Sequence, residues 1–169
     1  MLNAILKSKT RQRLLIKFFV NIANTGYLND LASEFDESTN SVRKELNNLT
    51  HAKYLTKKRI NNKVIYRANK NHPLFYDLQK IVKKYLGIED IISVVLNRMG
   101  NIEKMFLLGD YANGLDNGQI EVLLVGNNIN QNYLKNIEEK LEKMLNRKVI
   151  FIISNKDEII ANKLLIFSI

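Results

Sequence analysis

Two short strand patterns on either side of an Asn-Asn pair constrain the fold of this chain more than any other feature. In YLTKKRINNKVIYRA, residues 54–68, apolar residues begin the first run and form most of the second. Asparagine tolerates the positive φ of a tight turn, so this segment is predicted to form a β-hairpin. The hairpin is strongly cationic, through Lys57, Lys58, Arg59, Lys63 and Arg67.

Three helices are predicted before the hairpin. Apolar residues at helical spacing indicate an amphipathic helix over residues 10–23, with Ile22 on its buried face. A short helix follows over residues 28–35. Ser38 is the expected N-cap of a third helix that runs to about residue 52. The second and third helices together predict a helix-turn-helix.

The third helix has an apolar face and a polar face. Val42, Leu46 and Leu49 share the apolar face and are the predicted core contact. Arginine and asparagine can make bidentate contacts to guanine and adenine edges, which suits the polar face to a DNA major groove. A merely solvated helix face is the alternative. The polar face comprises Thr39, Asn40, Arg43, Lys44 and Asn47.

The net charge of +9 is concentrated in the first part of the chain. Residues 1–70 hold 14 Lys and Arg against 5 Asp and Glu, whereas residues 71–169 hold 12 of each kind. An excess of positive charge in one part of the chain is expected when that part binds a polyanion and the rest of the chain does not. The hairpin cations are then predicted to contact phosphates, which fix position without reading sequence.

Three motifs follow one another in this part: S-x-N-S-V-R-x-E-L, then Y-L-T, and then Y-R-A-N-x-x-H-P-L-F. This order resembles the winged-helix domain of ArsR-like transcriptional regulators, in the branch where that domain precedes a nucleotidyltransferase-like domain. The resemblance covers residues 8–87. It implies binding to duplex DNA as a homodimer, with the recognition helix in the major groove and the wing on the backbone. The chain has no cysteine, so thiolate metal sensing does not carry over.

The hydrophobic period changes after about residue 100. A helix from Phe75 to Tyr85 is predicted to connect the two parts, where it either carries a dimer interface or packs on its own domain, and another helix begins at Ile88. Apolar runs at Met105–Leu108, Ile120–Val125 and Val149–Ile153 then predict buried strands, with an amphipathic helix before the last. This pattern indicates a small mixed α/β unit.

Two segments of this unit, FLLGDYANG and QIEVLLVG, resemble the minimal nucleotidyltransferase fold. That fold has a Gly-Ser turn into a helix, which binds phosphates, and a strand with two aspartates separated by one residue, which hold Mg²⁺. Here Asp110 follows Gly109 in place of serine, and Gln119 and Glu121 replace the aspartates. The changes add an anion at the turn and weaken the metal site.

We therefore predict a degenerate site with no catalytic residue, metal or cofactor. Asp110 is expected to be the N-cap of the short helix after the turn. A relocated carboxylate cluster of Asp110, Asp116 and Glu121 is the alternative that would restore a metal site.

The predicted fold class is α+β, with a winged helix-turn-helix domain and its connector helix over residues 1–86 and a small mixed α/β nucleotidyltransferase-like domain over residues 87–169. The predicted function is a cytoplasmic transcriptional regulator without a membrane segment. Its second domain would sense an unidentified effector or bind a protein. Two alternatives stay open: an active minimal nucleotidyltransferase tethered to nucleic acid, and an antitoxin-like protein that binds a partner through its second domain.

Overall fold

The computed structural model of the protein describes residues 7–98, 101–157 and 162–169. The chain divides into two compact units between Val82 and Lys83. No helix in the described ranges is long and apolar enough to cross a lipid bilayer.

The described part of the first unit contains three complete helices and a three-stranded antiparallel sheet, in which β3 (Lys63–Ala68) lies between β1 (Thr25–Tyr27) and β2 (Leu55–Ile60). The helix-turn-helix and the hairpin are confirmed, whereas β1 was not predicted. A further helix, α4, crosses the division between the units. The elements are α1 (Lys9–Val20), β1 (Thr25–Tyr27), α2 (Leu28–Phe35), α3 (Thr39–His51), β2 (Leu55–Ile60), β3 (Lys63–Ala68) and α4 (Phe75–Tyr85).

The end of α1 corrects one prediction. The helix stops at Val20, so Ile22 lies outside it and is 37% exposed rather than buried. The side-chain oxygen of Asn21 accepts the N–H of Ala23 at 3.0 Å. An asparagine that bonds its neighbouring backbone in this way offers an alternative to the helical ladder, and here Asn21 adopts an extended conformation.

The hairpin turn follows its predicted chemistry. Both central residues adopt positive φ, 46° at Asn61 and 62° at Asn62. This is the backbone that a two-residue turn between twisted strands requires. The turn sets a register in which Ile60 pairs with Lys63 and Leu55 pairs with Ala68.

The second unit is built around a four-stranded mixed sheet in the order β6-β5-β4-β7. The β5–β6 pair is parallel and the other two pairs are antiparallel. The three predicted strands are confirmed and β7 was not predicted. The remaining elements are α5 (Ile88–Arg98), β4 (Asn101–Leu107), α6 (Gly109–Ala112), β5 (Gln119–Asn127), α7 (Gln131–Leu145), β6 (Lys148–Ser154) and β7 (Leu164–Ser168).

The core of the second unit lies between its sheet and two helices. Helix α7 packs on β6 and on α5, and it buries Leu134, Ile137 and Leu141. Gly87, just before α5, has φ of 77°, and a Cβ there would lie 2.3 Å from a methyl carbon of Leu145. Only glycine fits both the backbone and the close approach.

Candidate nucleic-acid interface

The helix-turn-helix is fixed by two caps. Asp36 adopts the left-handed conformation and its N–H closes α2 on the carbonyls of Ala32 and Ser33. The hydroxyl of Ser38 accepts the N–H of Ser41 at 3.2 Å, which satisfies a free donor at the start of α3. The predicted N-cap is therefore confirmed, and α3 begins at a defined angle to α2.

Helix α3 presents its polar side chains to solvent. Val42 and Leu46 are fully buried and Leu49 is 6% exposed, so the apolar face is the core contact that the sequence predicts. The five side chains predicted to reach DNA are all exposed: Thr39, Asn40, Arg43, Lys44 and Asn47.

The register of the hairpin divides its cations between two faces. Lys57 pairs with Tyr66 and Arg59 pairs with Val64, and directly paired residues share a face of the sheet. Lys58 pairs instead with Ile65, and Arg67 with Thr56, on the opposite face. Strand alternation thus places the cations of the hairpin on both faces of the sheet.

A groove of about 450 Å³ runs between α3, the start of α2 and the hairpin. Arg43 and Asn47 line it from α3, and Asn62 and Lys63 line it from the hairpin tip. Val64 and Tyr66 also line it, and the register places Lys57 and Arg59 on the same face of the hairpin as these two residues, whereas Lys63 lies on the other face. Helix α3 and the hairpin thus bring predicted base-reading and phosphate-contacting side chains around one space.

The end of β1 and the first turn of α2 contribute residues to this groove that the sequence did not predict. Tyr27, Asn29 and Asp30 all line it. The Nζ of Lys63 lies 5.7 Å from the centre of the Tyr27 ring, a cation–π contact that holds the hairpin tip toward α2. The short apolar pattern of α2 indicated only a packing helix, and no sequence signal placed its first turn beside the hairpin.

Most of the acidic residues in residues 1–70 bind side chains of α1. Arg11 binds Glu45 at 2.8 Å, Arg13 binds Glu37 at 2.7 Å and Lys17 binds Glu34 at 2.6 Å. The Thr10 hydroxyl also donates to Glu37. Three of the five carboxylates in residues 1–70 are thereby engaged by α1, while the cations of α3 and the hairpin stay exposed.

Glu45 shows how the recognition helix is anchored. It is only 6% exposed although it is charged. Burial alone would raise its pKa, but hydrogen bonds from Arg11, Ser8 and Asn48 hold the pKa of Glu45 below its ordinary value. The carboxylate therefore stays ionised and ties α3 to α1.

The turn at Gly109 in the second unit differs from the prediction. Gly109 adopts φ of 56° and is itself the first residue of α6, so the N-cap is Leu108. The expectation that Asp110 caps this helix is wrong, because the helix starts at the left-handed Gly109, two residues earlier than an Asp110 cap would allow. The carboxylate of Asp110 instead accepts from the side-chain amide of Asn117 at 2.8 Å.

The predicted metal-strand positions also bind each other. Gln119 donates from its side-chain amide to Glu121 at 2.8 Å. The other oxygen of Glu121 lies close to Gly109: a Cβ on that glycine would be 3.4 Å from it. The structure thus places Gly109 beside Glu121, whereas Asp110 accepts a hydrogen bond from Asn117 and Glu121 accepts one from Gln119.

Asp116 is engaged by a different set of groups. The Nη2 of Arg147 binds it at 2.6 Å, and the Tyr111 hydroxyl donates to it. Burial would raise the pKa of Asp116, but the Arg147 and Tyr111 hydrogen bonds hold that pKa below the ordinary aspartate value. Burial and Asp116 raise the pKa of Tyr111 well above its ordinary value.

The relocated cluster of Asp110, Asp116 and Glu121 does not form a metal site. Asp110 accepts a hydrogen bond from Asn117, Asp116 from Arg147 and Tyr111, and Glu121 from Gln119. Within residues 7–98, 101–157 and 162–169, no group of three or more acidic or histidine side chains is placed to hold a metal ion.

Comparisons with known proteins gave partial likenesses. No family model and no curated protein matches the sequence. A solved structure from Archaeoglobus fulgidus is similar at 18% identity and TM-score 0.39, over 56% of this chain and 97% of that one. The antimony-specific transcriptional repressor AntR is similar at 15% identity and TM-score 0.38, over 53% of this chain and 72% of that one. The adhesin competence repressor of Streptococcus pyogenes is similar at 17% identity and TM-score 0.40, over 57% and 69%. These likenesses carry no argument about function.

Proposed function

We propose that this protein is a transcriptional regulator that binds duplex DNA as a homodimer through residues 1–86. The observation that carries the proposal is the groove between α3 and the hairpin. Arg43 and Asn47 line it from the helix, and Lys63 lines it from the hairpin tip. Bidentate donors on an exposed helix beside cations on a strand pair match what a major groove and its flanking phosphates require.

The arrangement of charge supports the same proposal. Because α1 engages Glu34, Glu37 and Glu45, the positive side chains of α3 and the hairpin face solvent with few anions among them. A concentrated positive field raises the encounter rate with a polyanion and supplies most of its non-specific affinity.

For residues 87–169 we propose a nucleotidyltransferase-like scaffold that senses an effector or binds a protein, without catalysis. The contacts of Asp110, Asp116 and Glu121 support this, because each carboxylate already bonds to an amide or a guanidinium. An active transferase would need such groups free to converge on Mg²⁺.

The proposal is tested by fluorescence anisotropy of the full chain on a labelled random duplex at increasing salt. Log affinity should fall with log salt by about 0.9 per phosphate neutralised. Replacing Lys57 and Arg59 together by Ala removes two cations from the face of the hairpin that carries Val64 and Tyr66, and should lower the slope by about 2. The matched control replaces Lys58 and Arg67 by Ala, which removes the same charge from the opposite face.

We expect the control to change the slope less than the Lys57 and Arg59 pair does. Equal effects of the two pairs would show that the hairpin contributes only diffuse charge. No measurable duplex binding at low salt would reject the proposed function.

A further inference from the structure

Asp30 is the one carboxylate among the ten residues that line the groove between α3 and the hairpin. It lies in the first turn of α2, three residues after Tyr27, and is exposed. The groove otherwise carries the cations Arg43 and Lys63 and the amides Asn29, Asn47 and Asn62. An anion in such a setting opposes the phosphate attraction that the rest of the groove provides.

The placement of the other acidic residues makes Asp30 distinctive. Glu34, Glu37 and Glu45 are engaged by α1. Asp36 is exposed but serves as the C-cap of α2 and does not line the groove. Among the described residues that line the groove, Asp30 is therefore the single negative side chain, and Arg43 and Asn47, the α3 residues best suited to read bases, line the same groove.

We propose that Asp30 is a specificity-determining residue that accepts a hydrogen bond from the exocyclic amine of a cytosine in the major groove. This inference rests on the proposed function. An ionised carboxylate only accepts hydrogen bonds, and the cytosine N4 amine is the major-groove donor that aspartate pairs with. If the DNA binds in a register that places a phosphate at this position, the carboxylate repels that phosphate. Asp30 therefore favours the correct site both by its hydrogen bond to cytosine and by this repulsion.

The test uses the full chain and two variants that remove the same charge. Asp30→Asn replaces the acceptor by an amide, which prefers adenine N6 and N7. Asp36→Asn is the matched control, because asparagine tolerates the left-handed backbone at that position, where φ is 52°. Each protein selects binding sites from a randomised duplex library, and affinities for the selected and a random duplex are then measured.

We expect the native protein and Asp36→Asn to select the same sites. Asp30→Asn should change one selected position from cytosine to adenine and bind random duplex more tightly. Its preference for the native site over random DNA should fall by about tenfold, within the range for one base contact.

Two outcomes would overturn the inference in different ways. If Asp30→Asn selects the native sites with undiminished preference, Asp30 does not read a base, although the protein still binds DNA. If the native protein binds no duplex, the proposed function fails and the role of Asp30 fails with it.

Discussion

At the scale of single residues, Asp116 shows how a charge can stabilise this fold rather than serve chemistry. Its side chain is 20% exposed and its partner Arg147 is 15% exposed. The guanidinium of Arg147 also lies 5.2 Å from the centre of the Tyr85 ring. Removing the carboxylate would leave the largely desolvated guanidinium of Arg147 without its main partner. The resulting loss of folding stability is larger than the net stability that the ion pair contributes.

We therefore predict that Asp116→Asn lowers the free energy of unfolding at pH 7 by about 1 to 3 kcal/mol. The pKa of Asp116 is depressed in the folded state, so its contribution is present above the ordinary aspartate pKa of about 4 and is lost as pH falls through the lower folded value. The difference between native and variant should thus shrink toward pH 2, as followed by urea unfolding and circular dichroism.

Asp157→Asn is the control for this measurement. Asp157 also binds cations, Lys104 at 2.7 Å and Lys163 at 2.6 Å, but on the surface, where water screens the pairs. It should change the urea midpoint little at either pH. A native-like midpoint for Asp116→Asn at pH 7 would show that Arg147 does not depend on this carboxylate.

At the scale of elements, helix α7 protects an edge of the second sheet. Strand β6 lies at one end of the strand order, so one row of its backbone groups has no strand partner among the described residues. The Oε1 of Glu142 accepts the N–H of Val149 at 3.2 Å, and the Oε1 of Glu138 accepts that of Phe151 at 3.0 Å. Two carboxylates thus accept hydrogen bonds from backbone N–H groups of β6 that could otherwise pair with another strand.

Replacing Glu138 and Glu142 together by Ala should destabilise the protein by about 1 to 3 kcal/mol for each donor left unsatisfied. Alanine is the better helix former, so a loss of stability cannot come from helix propensity.

Glu139→Ala, an exposed position on the same helix, is the control and should leave stability unchanged. Urea unfolding checks stability, and light scattering of heated samples checks for association through the uncovered edge. An unchanged midpoint in the double variant would contradict this role.

The elements also show what the sequence could and could not predict. Helix α3, its cap and the Asn61-Asn62 turn follow from local propensities, which operate within a few residues. Strand β1 has three residues, and its structure depends on pairing with Ile65–Arg67, far along the chain. The candidate site also depends on contacts between distant parts of the chain, because tertiary packing brings Asp30 and Arg43 to the same groove. Gly109 shifted the start of α6 through its left-handed backbone, which spacing alone did not indicate.

At the scale of the whole molecule, we expect a homodimer. One recognition helix reads only a few base pairs, so selective binding needs two half-sites, and two-fold symmetry would place them about 34 Å apart or a multiple of that distance. Light scattering at micromolar concentration, with and without DNA, measures the mass. A monomer under both conditions would contradict the prediction.

The second domain should bind no nucleotide in a metal-dependent way. Asp110 places a negative charge at the turn where phosphates would bind, and a like charge at about 4 Å costs roughly 4 kcal/mol at an effective dielectric near 20. In the scaffold proposed above, Gln119 stands where a metal-binding aspartate would be needed, and its side-chain amide donates to Glu121 at 2.8 Å, so the remaining carboxylate is partly engaged. Millimolar ATP with Mg²⁺ should therefore leave the melting temperature of the native protein unchanged.

The combined variant Asp110→Ser, Gln119→Asp and Glu121→Asp reverses each of these effects. It removes the anion from the turn, frees the strand from the Gln119 bond and supplies two short carboxylates for Mg²⁺. A ligand at a hundredfold excess over its Kd stabilises a protein by about 2.7 kcal/mol, which raises the melting temperature by several degrees. We expect such a shift only in the combined variant. A shift of that size in the native protein, lost on Glu121→Gln, would instead favour a transferase tethered to nucleic acid, because Glu121 would then be a working metal ligand.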